Sequence, residues 1–359
     1  MAYTNIDDPS VHFQTALYTG NGGTLAVTND GNSDLQPDLV WTKKRSDTSH
    51  NALVDSSRGA TKQIYSNLTA AEETVSGVTA FNTDGFTLGS NGTANGNGGT
   101  FVAWQWKCNG GTTSSLSGNL ASVVQVNADA GFSIVKYTGS GGNGQSVLHG
   151  LGLTPEVIIT KARNGTDDWY VYHKSIGNTK ILKLNTTGAE ASSSVYDAAA
   201  VSSSAFFVSA NLIYVGELGA DFVSYCFAPI QGYSKFGSYV GNGTGTSDGT
   251  FDGTFVYTGF KPAWVMVKRS SYSAGDGWFI YDNKRPRSGS TGNYINNKLA
   301  ADSAGAESGN VYDAVDFLSN GFKLRTGRAG SNASGSTYIY MAFAENPFTT
   351  STGIPTTAR

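Results

Sequence analysis

The feature that most limits the fold is a phrase written three times: Pro37-Asp38-Leu39-Val40-Trp41-Thr42-Lys43, Pro155-Glu156-Val157-Ile158-Ile159-Thr160-Lys161 and Pro262-Ala263-Trp264-Val265-Met266-Val267-Lys268. In each copy a Pro opens a short apolar run, and a Lys stands six residues after it. A run that is apolar on both faces reads as a central strand, with Pro tolerated only at its first residue. The copies are 118 and 107 residues apart, too far for a solenoid turn and about right for a whole domain. The chain is therefore expected to hold three tandem β-domains, and the Lys that closes each run to be a solvated strand end.

Around each copy the same signals recur in the same order. An alternating stretch opens each repeat, at 13–18, 132–138 and 234–240. Asp84-Gly85 carries the signature of a tight turn before a strand. Each repeat closes on a strand with a heavy apolar face: Val102, Trp104 and Trp106; Val223, Tyr225 and Phe227; Ile339, Met341 and Phe343. Being apolar on one face, these closing strands are expected nearer the surface than the copied ones. Gly-, Asn- and Asp-rich breaks separate short strands at intervals of about 8–15 residues, which favours an all-β fold of three jelly-roll-like β-sandwiches. The expected boundaries are 1–110, a linker at 111–122, 123–231, 232–348 and a tail at 349–359.

Composition narrows the setting. Charged residues make up 14% of the chain, against roughly 25% in an average globular protein, while 46 Gly accompany abundant Ser, Thr and Asn. Surfaces built from small polar residues suit extracellular or particle-bound β proteins. With 18 Tyr, 18 Phe and 6 Trp there is ample core material, so disorder is not expected. A net charge of −3 leaves no electrostatic footprint for nucleic acid or an anionic membrane. No charged-then-apolar leader is visible, and no apolar run approaches the roughly 18 residues that span a bilayer. Cys108 and Cys226 occupy unmatched positions, so they read as two isolated thiols and not a disulfide.

Few residues invite a chemical reading. Asp30-Gly31-Asn32-Ser33-Asp34 alternates oxygen ligands as a calcium loop does, but Leu35 and Trp41 stand where that loop needs Gly and Glu, so a polar hairpin tip is expected. Asp55 with Arg58 and Asp282 with Arg285 fall at matching points and read as pairs holding a turn; the second repeat has His173-Lys174-Ser175-Ile176 there. The histidines at 12, 50, 149 and 173 lack ligand spacing, and no carboxylate pair for glycoside hydrolysis can be nominated. No catalytic residue, metal ligand or cofactor is therefore expected. Tyr170 and Tyr172 alternate with Trp169 and Val171, and Phe279 and Tyr281 with Trp278 and Ile280. Exposed aromatics beside polar residues stack on sugar rings, so Tyr170, Tyr172, Phe279 and Tyr281 are the expected ligand-facing band.

Four phrases carry a family likeness: Ile6-Asp7-Asp8-Pro9-Ser10, Tyr18-Thr19-Gly20-Asn21-Gly22, Lys261-Pro262-Ala263-Trp264-Val265-Met266-Val267-Lys268, and Ala342-Phe343-Ala344-Glu345-Asn346-Pro347-Phe348. With them the chain resembles an uncharacterised domain family, often in tandem, found in structural proteins of marine tailed bacteriophages of cyanobacteria and pelagic bacteria. The resemblance implies a non-enzymatic virion component, made in the host cytoplasm and released by lysis, whose partners are other virion proteins. A tail fibre or receptor-binding part touching host surface glycan is the leading expectation. A capsid decoration or tail scaffold protein and a polysaccharide depolymerase are the alternatives. A homo-oligomer is expected, trimers being the habit of phage fibres.

Overall fold

In every repeat the opening strand pairs with the closing strand, and the closing strand with the copied one. The computed structural model describes residues 4–196, 201–209, 215–244, 252–272, 276–285, 294–309 and 314–356. In the first repeat the large sheet runs Phe13–Thr19, Thr100–Trp106, Leu39–Lys44, Ala52–Asp55, Lys62–Tyr65, Glu73–Thr74. The third repeats that order as Ser234–Val240, Thr337–Pro347, Phe260–Arg269, Phe279–Asp282, Asn297–Ala300, Ser308–Gly309. The second does so as Phe132–Thr138, Asp221–Phe227, Val157–Ala162, Trp169–His173, Lys180–Lys183, Ala191–Ser192. All pairings within these sheets are antiparallel, which lets short turns join neighbours.

At 46% strand and 4% helix the fold is all-β, as the spacing of turn residues predicts. Two expectations need correction. The closing strands are the most enclosed, not the most superficial: Thr100–Trp106 lies between two neighbours, and every residue from Phe101 to Trp106 is buried. The stretch read as a linker contains the strand Ser114–Ser117, which hairpins with Ala121–Asn127 and widens the second repeat's sheet to eight strands.

Both corrections have one cause, a smaller sheet laid on one face of each large one. In the first repeat it comprises Leu25–Val27, Phe86–Leu88 and Val78–Phe81; in the second, Gln145–Leu148 and Ala205–Val208; in the third, Phe255–Tyr257, Gly321–Arg325, Ala314–Leu318 and Tyr294–Ile295. The first of these depends on the predicted turn at Asp84-Gly85. Gly85 has φ 93°, and a Cβ there would sit 2.0 Å from the Val27 carbonyl oxygen, so only glycine fits. Between large and small sheets lie three separate outer cores.

The other faces of the three large sheets meet one another in a single inner core drawn from all three repeats. At its centre stand Trp106, Phe227 and Phe343. They are equivalent residues, since each closing strand is registered to its copied strand through Leu39, Val157 and Trp264 respectively. Their rings are mutually in contact, with centroids 6.4 Å apart for Trp106–Phe227, 5.6 Å for Trp106–Phe343 and 5.8 Å for Phe227–Phe343. Edge-to-face aromatic pairs at such distances add about 0.5–1.5 kcal/mol each beyond the area they bury. The repeats are thus closed into a ring about a pseudo-threefold axis.

Candidate functional site

The expected aromatic band is not on the surface. Tyr170, Tyr172 and Tyr281 are buried, and Phe279 is partly buried against the third repeat's outer core with Lys298 Nζ 4.1 Å above its ring. The alternation was read in the correct phase, because Trp169, Val171, Trp278 and Ile280 fill the inner core. The second face of those strands is covered by the smaller sheets, where Tyr172 packs edge-on to Tyr196 at 5.9 Å. A strand buried on both faces offers no ligand-facing side, so the band is core.

The lysines that close the copied strands are likewise not solvated ends. Lys43, Lys161 and Lys268 are fully buried, and each crosses to the neighbouring repeat. Lys43 Nζ donates to the Ala304 carbonyl at 2.8 Å, Lys161 Nζ to that of Thr69 at 3.1 Å, and Lys268 Nζ to that of Thr187 at 2.9 Å. The first repeat thus holds the third, the second holds the first, and the third holds the second. Burial pushes each ammonium down to about 8. The same circuit is drawn by Trp169 Nε1 to Tyr65 O at 2.8 Å and Trp278 Nε1 to Lys183 O at 2.9 Å, with Asn51 Nδ2 to Ser303 O at 2.8 Å in the first repeat.

The Asp–Arg turns belong to this ring. Arg58 and Asp55 are both fully buried and paired, and the Tyr225 hydroxyl of the second repeat donates to Asp55 Oδ2 at 2.8 Å. Arg58 also reaches Glu72, which is bridged in turn by Arg163 of the second repeat, each at 2.9 Å. Burial opposes ionisation of Glu72, but the guanidiniums of Arg163 and Arg58 outweigh it and hold the carboxyl below its usual range. Between the third and first repeats the constellation recurs: Arg285 pairs Asp282 at 2.7 Å, Trp104 Nε1 donates to Asp282 Oδ2 at 2.8 Å, and Glu307 joins Arg285 to Arg45. Between the second and third, among the described residues, it is absent; His173 Nε2 faces the Tyr340 carbonyl at 3.2 Å, and burial pushes the imidazole down to about 4.

These side chains hold structure, and the remaining candidates do so too. Cys108 and Cys226 are free and buried. Asp30, at the polar loop, pairs Lys284 of the third repeat at 2.8 Å over a cavity of about 270 Å³. Among the described residues no group of three or more His, Cys, Asp and Glu is placed to hold a metal ion, and no helix is long and apolar enough to cross a membrane.

What stands out at the surface is aromatic. Among the described residues the exposed large aromatics are Phe255, Tyr257, Tyr272 and Phe348. Tyr257 and Phe348, 55% and 40% exposed, line one groove of about 430 Å³ on the third repeat. Phe255, 43% exposed, lies two residues from Tyr257 on the same side of the strand, while Val256 between them is buried. The chain turns just after the strand at Gly259, whose φ of 85° favours glycine. The corresponding strands Leu25–Val27 and Gln145–Leu148 carry no aromatic residue. Lys235 enters the groove with Nζ 2.9 Å from the Tyr257 carbonyl oxygen and 5.0 Å from the centroid of its ring. Sequence reasoning missed this site because it sought aromatics at matching points of the repeats; the signal was the departure of Phe255-Val256-Tyr257 from the other copies.

Fold and surface together define an all-β protein of three interlocked sandwiches with an aromatic groove on its surface. The chain belongs to the family described as a domain of unknown function, DUF7483, whose model matches residues 8–347 as one stretch spanning all three repeats. No curated protein and no solved structure matches it.

Proposed function

We propose that this is a non-enzymatic bacteriophage virion protein at the particle surface, a tail-fibre or receptor-binding component that contacts host surface glycan. The observation that carries the contact is the groove on the third repeat, where Tyr257 and Phe348 stay exposed in a molecule that buries most of its other aromatic rings. Exposed rings beside polar side chains are the usual means of stacking on a sugar face. A rigid, non-catalytic body is supported by the interior charges: Asp55, Asp282, Glu72 and Glu307 are each engaged by arginine, which leaves those carboxylates no free proton-transfer role. The virion setting rests on the sequence resemblance and the charge-poor, small-residue surface, and other virion proteins and further copies of the chain are the partners it implies.

Two measurements test this. Labelled antibody against the chain should decorate intact particles at their host-facing surface, and purified protein should compete with particles for host cells. Tyr257→Ala with Phe348→Ala should abolish that competition while leaving the melting temperature unchanged. Competition that survives the double change would remove the groove from the reading, and antibody that reaches only disrupted particles would remove the surface role.

A further inference from the structure

Building on that reading of the groove, we infer that its ligand is an acidic pyranose, a uronate unit of a surface polysaccharide, with Lys235 receiving the carboxylate and Tyr257 and Phe348 the ring. The groove is lined by Gln231, Ser234, Lys235, Thr258 and Thr349 beside the two aromatics, and no Asp or Glu is among its lining residues. Lys235 forms no ion pair among the described residues, and one of its three protons is taken by the Tyr257 carbonyl. Two ammonium protons are therefore left for a ligand, in a half-buried setting where a charge-assisted hydrogen bond is stronger than in bulk water.

The rest of the lining complements a sugar. Among the described residues the side chains of Gln231 and Thr349 have no hydrogen-bond partner, so a carboxamide and a hydroxyl are available to ring hydroxyls. Thr258, by contrast, is occupied by the Phe260 carbonyl and serves only to fix the turn. A volume of about 430 Å³ sits within the range of about 300–1,000 Å³ of small-molecule sites, enough for one or two rings and not for an extended protein loop. A cation with no ion-pair partner in direct contact, only the field of Glu156, selects against neutral sugars by leaving the ammonium without a contacting counter-charge when they bind.

The test uses the full chain and two probes, trigalacturonate and the neutral trisaccharide maltotriose, read by saturation-transfer NMR and titration calorimetry. Trigalacturonate should bind more tightly than maltotriose, and its affinity should fall as salt is raised. Lys235→Met should weaken trigalacturonate by about tenfold or more, the loss expected for one hydrogen bond to a charged group. It should leave maltotriose unchanged, and Lys235→Arg should restore much of the loss. Tyr257→Ala should weaken both probes. Lys235 and Tyr257 lie at the surface, so the variants should melt with the parent. Equal binding of the two probes, indifferent to Lys235→Met, would overturn the acidic specificity while leaving the sugar groove in place. Failure of both probes to bind would overturn the groove as a uronate site and the glycan reading with it.

Discussion

The junction between the first and second repeats and that between the second and third are the same place in the fold, built in two ways. At the first, Asp55, Arg58, Arg163 and Tyr225 form a buried ionic cluster with Glu72. At the second, the equivalent positions hold His173, Ile176, Ser270 and Met341, as the strand registers show, and Ile176 packs against the inner core. The backbone contact is kept in both, with Glu72 N to Arg163 O at 2.7 Å and Glu190 N to Ser270 O at 2.9 Å. The four differences explain one another. Met341 offers no proton to a carboxylate, so an Asp at 173 would be buried beside nothing that donates; a neutral imidazole needs no counter-charge, and without the Asp a buried Arg would be stranded. Buried charge here is retained as a set or dropped as a set.

The largest expected effect breaks the ionic junction. Asp55→Ala should cost about 4 kcal/mol in denaturant unfolding, because the buried Arg58 loses its nearer counter-charge and keeps only Glu72, which it shares with Arg163. The combination Asp55→His, Arg58→Ile, Tyr225→Met and Arg163→Ser, which copies the other junction, should restore stability to within about 1 kcal/mol of the parent, since replacing a whole buried cluster by apolar groups is near neutral. Lys62 already stands where Lys180 pairs Glu190, ready to take Glu72. A quadruple variant no more stable than the single one would refute the comparison.

Next in size is an acid sensitivity to which the other junction makes the largest single histidine contribution. His173 has a folded pKa of about 4, below its ordinary 6.5, so the unfolded chain takes the proton first. Its share of stability is complete above 6.5 and lost as pH falls from there toward 4, roughly 3 kcal/mol in all. Melting curves across this window should show the slope, and His173→Asn should reduce it, leaving the smaller share of His12 and His149. The smallest effect belongs to the feature all three junctions share. Lys43→Met, Lys161→Met and Lys268→Met should each cost about 2 kcal/mol, the penalty for leaving buried carbonyls unpaired, and to a similar extent at each junction. A loss at only one of them would mean that the ring is not equivalent around its axis.

Strand existence, order and face were legible because they follow from alternation: Trp104 and Trp106 do point away from Ala103 and Gln105, and Trp169 away from Tyr170. The all-β class followed from the same pattern. What alternation cannot show is how many layers cover a strand, and this is why Tyr172 and Tyr281 were read as outward and the closing strands as superficial. The lysines were misread for a related reason, since a Lys at a strand end is ordinarily solvated and only its partners 81 to 261 residues away make it interior. In fact its threefold recurrence was the legible clue, because a solvated end has no need to be the same residue in each copy. The groove was hidden for the opposite reason: its aromatic strand has no aromatic counterpart in Leu25–Val27 or Gln145–Leu148.

The contact of Trp106, Phe227 and Phe343 also bears on how the chain is made. Synthesis proceeds from the N-terminus, so Trp106 and Phe227 leave the ribosome well before Phe343. Until Phe343 follows, the first two repeats present Trp106 and Phe227 on an uncapped hydrophobic face, so the nascent protein passes through a sticky two-thirds ring while the third repeat is being made. Its solubility in the cell is thereby tied to uninterrupted translation of the third repeat, and premature termination yields an aggregation-prone fragment in place of a smaller working protein.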